Sequence, residues 1–283
     1  MLDGAQASRI YLLPNLMTAG NLFCGFVAII RCIQARFRTE GVREGPPELL
    51  YNEAVWWILA AVVFDSLDGR LARLGGRESL FGKEFDSIAD IISFGMAPAM
   101  MMFFLILSPE LHPYFRQVGW FIGFVYLLCA GVRLARFNVI THPLIHTTHS
   151  KYDTKDFVGL PVPAAAGFIA SLVLLVNHVE ELKRGMVYAL PMVILLVSIL
   201  MISTIRYPSF KQVDWRTRAR FGTFVIVLAV AAAVFFLKQY ALVFLFFTYL
   251  MWGLVRHALY LRRRRARKKA PEQDANKSPT PAQ

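Results

Sequence analysis

Two acidic pairs stand close together in an otherwise apolar stretch: Asp65 and Asp68, then Asp86 and Asp90. Carboxylates three or four residues apart fall on one face of a helix, where they act on the same space. At about 100° per residue, Asp65, Asp68, Gly69, Ala72 and Arg73 share a face about 140° wide. A second face gathers Gly82, Asp86, Asp90, Ser93 and Ala97. Four converging carboxylates repel one another unless neutralised. Hard divalent cations with oxygen ligands are their natural counter-ions, and two such ions balance four charges. The small residues beside the acids leave room for what the ions hold, and Arg73 suits a phosphate.

The elements that must carry these residues follow from composition. Of 283 residues, 56% are hydrophobic and 18% charged, with mean hydropathy +0.47; soluble domains carry about 25% charge. That excludes a disordered or collagen-like chain and argues against a soluble enzyme. The expected fold is an all-α polytopic membrane protein, a bundle of about eight transmembrane helices. A span needs about 20 mostly apolar residues, and candidates run over 12–31, 54–73, 86–107, 118–138, 162–180, 186–204, 221–237 and 240–260. The chain thus divides into a short segment 1–11, a membrane domain 12–260 and a basic tail 261–283, expected to be disordered. Asp65 and Asp68 close the second span and Asp86 opens the third. The short link with Gly75-Gly76 makes those two helices antiparallel neighbours.

The net charge of +12 sits in loops flanking the spans and in the tail, which points to membrane orientation and anionic lipids rather than nucleic acid. The amino end, alternate connections and the carboxyl end hold most of the 31 Lys and Arg. Both termini and the four acids are therefore expected on the cytoplasmic side. Cys24, Cys32 and Cys129 are scattered in apolar stretches and read as buried unpaired thiols. The first apolar segment lacks a basic flank and an A-x-A-like site, so it reads as a retained span.

Two blander or different readings compete. Acids at a span end are often only interfacial, although matched faces with Gly, Ala and Arg interposed are not needed for that. An ion-coupled transporter also places acids in the membrane, but it leaves Gly69 and Arg73 without a task.

The run from Asp65 to Asp90, D-x2-D-G-x2-A-R-x8-G-x3-D-x3-D, resembles the signature of the class I CDP-alcohol phosphotransferases without a departure. These membrane enzymes displace CMP from a CDP-linked lipid with an alcohol. The resemblance implies that Asp65, Asp68 and Asp86 ligate two Mg²⁺ or Mn²⁺ ions, with Asp90 ligating one of them. It further implies that Asp90 is the catalytic base. Gly69, Ala72, Arg73, Ser79 and Gly82 would belong to the CDP-lipid site.

Other segments are similar to the phosphatidylserine synthase branch of that family. They are Pro14 to Asn21, Ser93 to Pro98, Arg133-Leu-Ala-Arg136-Phe-Asn138, and Phe157 to Pro163. The similarity implies CDP-diacylglycerol and L-serine as substrates, a bacterial cytoplasmic (inner) membrane location and a homodimer. The alternatives are another acceptor or lipid: glycerol 3-phosphate, inositol phosphate or an archaeal ether lipid. Arg133, Arg136 and Asn138 are candidate acceptor or phosphate contacts, against the plainer role of a basic flank. Asn15, Thr18 and Asn21 form a polar stripe on the first span, equally suited to a nucleotide contact or to interhelical hydrogen bonds. His142, His146 and His149 have helical metal spacing, but Pro143 favours a loop without metal. Pro161 and Pro163 are expected to set the entry to the fifth span.

Overall fold

The computed structural model describes residues 4–37, 46–74, 80–107, 117–140, 156–208, 240–260 and 262. Helix α1 (Gly4–Arg36) and helix α2 (Pro47–Leu74) pack along each other over most of their length. Helix α3 (Leu80–Asp90) runs on through a π-helical turn, Ile91–Met96, into α4 (Ala97–Met102) and a second π-helical turn, Phe103–Leu107. Then come α5 (Gly119–Ile140), α6 (Val162–His178), α7 (Glu180–Ile202) and α8 (Tyr240–Tyr260).

Five of these units are long and apolar enough to cross a membrane: Asn15–Arg36, Pro47–Gly69, Phe81–Leu107, Gly119–Val139 and Tyr240–Tyr260. Val162–His178 and Tyr188–Ile202 are shorter apolar helices. The expected all-α membrane architecture is therefore present. The expected seventh span, 221–237, lies outside the described residues, as do the histidines 142, 146 and 149 and the tail 263–283. Large apolar side chains such as Phe23, Phe26, Phe124 and Phe244 face outward, as expected of helices solvated by lipid. The three cysteines are buried and free, as their spacing suggested.

Helix α1 is the pivot of the bundle. The short link between α2 and α3 led to the expectation of antiparallel neighbours; the two meet at Asp65, Asp86 and Asp90, and each packs chiefly on α1. Close approach explains how. A Cβ on Gly25 of α1 would fall on the Ser93 side chain and within 2.6 Å of its Cα. A Cβ on Gly20 would lie 2.9 Å from the Phe64 ring of α2. At the far end of this pair the Arg31 Nε meets the Glu53 Oε2 at 3.1 Å.

The π-helical turn after Asp90 has a local cause. Pro98 has no N–H to give the Phe94 carbonyl four residues earlier, and the Tyr126 hydroxyl of α5 donates to that carbonyl at 3.0 Å. Buried Ser93, Phe94 and Gly95 occupy this turn, so the segment is stitched to α1 on one side and α5 on the other.

One departure from an all-helical plan is a two-stranded antiparallel ribbon, β1 (Asp156–Val158) with β2 (Arg206–Pro208), in register Phe157 to Tyr207. Strands of three residues so far apart in sequence leave no periodic signal to read. Gly159 follows β1 with φ +83°, the left-handed region that glycine enters without penalty. There its N–H donates to the Ile205 carbonyl at 2.8 Å. Pro161 then caps α6 and Pro163 occupies its first turn, as expected for this entry. Helix α8 runs antiparallel to α6, with His178 against Tyr240 at one end and Phe168 against Phe247 farther along.

Candidate active site

Asp65 of α2 and Asp86 and Asp90 of α3 bring one carboxylate oxygen each to within 4.8 Å of one another. The helical spacing read from sequence does this: Asp86 and Asp90 are one turn apart, and the antiparallel α2 delivers Asp65 to the same level. Asp90 is buried, Asp65 and Asp86 half-buried. Asp68 is buried but lies outside that trio. Its Oδ2 accepts a hydrogen bond from the Thr18 hydroxyl of α1.

The polar stripe on α1 thus turns out to hold the acids. Asn21 Nδ2 donates to Asp90 Oδ1 at 3.0 Å, and the Asn21 carbonyl accepts from Ser93 Oγ at 2.9 Å. Of the two roles open for Thr18 and Asn21, interhelical hydrogen bonding is the one observed. Asn15, two turns earlier than Asn21, is half-buried.

Helix α5 closes another side. Arg133 lies within electrostatic reach of both Asp90 and Asp65. Its guanidinium carbon is 5.7 Å from the Phe137 ring centroid. Asn138 Nδ2 donates to Ser87 Oγ at 2.8 Å, and Ser87 in turn donates to the Lys83 carbonyl at 3.0 Å. Arg136 is exposed, and its Nη1 reaches the Ile202 carbonyl at the end of α7 at 3.5 Å. Of the three residues read as acceptor contacts, only Arg133 is placed by the acids themselves. Asn138 and Arg136 tie α5 to α3 and α7.

Gly69 is half-buried on α2, one residue after Asp68, and Gly82 half-buried one turn before Asp86. Ala72 and Arg73 belong to the last turn of α2, while Ser79 lies outside the described residues. Two contributors went unread in the sequence, Ser87 and Tyr126, whereas Ser93 was already on the acidic face. Ser87 had a signal, its place beside Asp86; Tyr126 had none.

The donor set fits a hard divalent cation. It is all oxygen, from three carboxylates gathered where their mutual repulsion calls for positive charge. A fourth oxygen, Asn21 Oδ1, is buried beside Asp90 without a hydrogen-bond partner among the described residues. A buried amide oxygen left unpaired costs about 1–3 kcal/mol, which an ion or its water would relieve.

A family model, CDP-alcohol phosphatidyltransferase, matches residues 11–204. The chain is 34% identical over 247 residues to a Helicobacter pylori protein named CDP-diacylglycerol–serine O-phosphatidyltransferase, covering 87% of this chain and 91% of that one. A Mycobacterium leprae protein of the same name is 32% identical over 246 residues, covering 87% and 74%. An archaetidylserine synthase of Methanothermobacter thermautotrophicus is 33% identical over 210 residues, covering 74% of each chain.

Proposed function

This chain belongs to the CDP-alcohol phosphatidyltransferase family, and from that premise we propose that it transfers the phosphatidyl group of CDP-diacylglycerol to L-serine, giving phosphatidylserine and CMP. The observation that carries the reading is the meeting of Asp65, Asp86 and Asp90 within 4.8 Å at one end of the bundle. Relatives named for the serine reaction support the choice of acceptor.

In the proposed reaction the serine hydroxyl oxygen bonds to the phosphorus that carries the diacylglycerol. The bond from that phosphorus to the CMP oxygen breaks, and CMP leaves with the electron pair. Asp90 takes the hydroxyl proton, a task that requires a carboxylate within hydrogen-bond reach of the nucleophile. Asn21 holds Asp90 by one oxygen, leaving the other for this exchange. Asp65, Asp86 and Asp90, with Asp68 beside them, would hold two Mg²⁺ or Mn²⁺ ions, which when bound neutralise charge on the pyrophosphate and favour in-line displacement.

Arg133, beside Asp90, suits the serine carboxylate, which a guanidinium grips with two parallel hydrogen bonds. Gly69, Ala72 and Gly82 keep the faces open for the CDP moiety, with Arg73 and Ser79 on its phosphates. Asn15, Thr18 and Asn21 line the same space from α1. A site between helices near their ends is open sideways to a lipid and endwise to soluble serine and CMP. The reading places both termini and the site on the cytoplasmic side of a bacterial inner membrane, supported by the charge distribution and by the bacterial relatives; a homodimer is what the family resemblance implies.

The test is CMP release by the purified protein in detergent with CDP-diacylglycerol and Mg²⁺ or Mn²⁺. L-serine is compared with glycerol 3-phosphate, inositol and inositol phosphate. Release with serine alone, abolished by chelator, is the expected result; release with another alcohol overturns the acceptor. The archaeal relative favours one second reading, the same transfer from an ether-linked CDP-lipid. Side-by-side assay of the two CDP-lipids decides it.

A further inference from the structure

Away from the carboxylates lies a cavity of about 150 Å³ lined, among the described residues, by Arg206 of β2 and by Arg256, His257 and Tyr260 of α8. Each of these four described side chains is able to donate a hydrogen bond, and two of them carry fixed positive charge. The parts are held in place from both elements. The Arg206 guanidinium carbon lies 5.1 Å from the Tyr260 ring centroid, within cation–π range. The Arg206 backbone N–H donates to His257 Nδ1 at 3.5 Å, which keeps the ring proton on Nε2. Tyr207, next in β2, is fully buried against Gly253, so strand and helix are fixed to each other.

The place of the cavity indicates what reaches it. Arg136 ties α5 to the Ile202 carbonyl, four residues before Arg206, so the cavity lies at the same end of the bundle as the carboxylates. It is nevertheless separate from them. Tyr249 is within electrostatic reach of Arg133, and Arg256 is seven residues farther along α8, about 10 Å at the helical rise. Tyr260 ends the apolar span Tyr240–Tyr260, at the depth where tyrosine and arginine meet lipid headgroups. The volume is below the roughly 300 Å³ typical of pockets for drug-sized molecules, a size that suits a single small anionic group.

We propose that Arg206, Arg256, His257 and Tyr260 form a binding site for a phosphate group, supplied at this depth by the headgroup of an anionic phospholipid. Basic pockets between spanning helices at the membrane surface suit such headgroups, and each guanidinium gives a phosphate two parallel hydrogen bonds. The proposal does not depend on the transfer reaction, and its test needs no turnover.

The experiment is native mass spectrometry of the full chain in detergent, titrated with phosphatidylglycerol or with phosphatidylcholine. Inorganic phosphate serves as competitor. The wild-type protein is expected to retain phosphatidylglycerol and not phosphatidylcholine. Arg256→Gln, an exposed position, is expected to lower retention at least fivefold with an unchanged melting temperature. Arg206→Gln with Arg256→Gln is expected to abolish it. Lys268→Gln with Lys269→Gln in the tail is expected to retain the lipid. Displacement of the lipid by phosphate supports the phosphate chemistry and identifies the free anion as a second source. Equal retention of phosphatidylglycerol by wild type and Arg256→Gln overturns the proposal, and so does equal retention of phosphatidylcholine.

Discussion

The side-chain amide of Asn21 on α1 donates to Asp90 on α3 at 3.0 Å, and the backbone carbonyl of the same residue accepts from Ser93 in the π-helical turn that continues α3. One residue thereby fixes the rotamer of the proposed base and the register of the helix that bears it. Thr18, one turn earlier on α1, does the corresponding work for Asp68 of α2.

Asn21→Ala is expected to lower serine-dependent CMP release by tenfold or more, because Asp90 loses its orienting donor. Loss of one hydrogen bond to a buried charged group costs about 1.5–3 kcal/mol, so the melting temperature should fall as well. Asn21→Gln, which keeps the amide but moves it by one carbon, should recover stability more than activity. Equal activity in Asn21→Ala and wild type would show that Asp90 needs no such positioning.

Asp86→Asn should have opposite effects on the metal-free and metal-loaded protein. Without metal it removes a like charge from the trio and raises the melting temperature. With Mn²⁺ the gain seen for wild type disappears, since binding to the folded state is what stabilises it. Differential scanning fluorimetry with and without chelator checks both signs. A wild-type protein that shows no Mn²⁺-dependent gain argues against a metal site at these carboxylates.

Gly25→Ala is predicted to destabilise by about 1–3 kcal/mol, the usual cost of overpacking. The added methyl meets Ser93 Cα at 2.6 Å as well as the mobile hydroxyl, so a rotamer change alone does not make room. Because the contact lies one turn from the Asn21–Asp90 bond, activity should fall with stability. A chemical melt of Gly25→Ala beside Ser93→Ala separates the clash from the lost hydrogen bond.

Tyr207 carries a fully buried hydroxyl without a hydrogen-bond partner among the described residues, and burial pushes its ionisation up from 10.0 to about 12. The unfolded chain releases this proton near pH 10 and the folded one only near pH 12. The contribution to stability is thus whole below pH 10 and lost as pH rises from about 10 to 12. Tyr207→Phe should leave stability at pH 7 unchanged or slightly higher and soften the alkaline loss. Melting curves at pH 7 and pH 11 read both. A large loss at pH 7 would mean that the hydroxyl has a partner.

How much of this was legible in the chain differs from part to part. The membrane class, five of the eight expected spans and the pairing of Asp86 with Asp90 follow from hydropathy and from helical periodicity, both local properties. Asp65 could be assigned to the same end because a short link forces α3 to turn back along α2. The glycine of the Phe157–Pro163 stretch was visible as part of a motif, but its task became clear only with Gly159 at φ +83° beside Ile205.

What only the tertiary structure decided is which helix lies between the others. Nothing periodic states that α1 packs against both α2 and α3, so its polar stripe was open to two readings until Thr18 and Asn21 were found on Asp68 and Asp90. The same holds for the separation of Asp68 from the carboxylate trio, for the Tyr126–Phe94 bond and for the basic cavity between β2 and α8. The last two join residues more than 30 positions apart. The sequence by itself determined which side chains share a helix face, because the backbone repeats; it left open which faces meet, because that depends on close packing between segments with no covalent relation to one another.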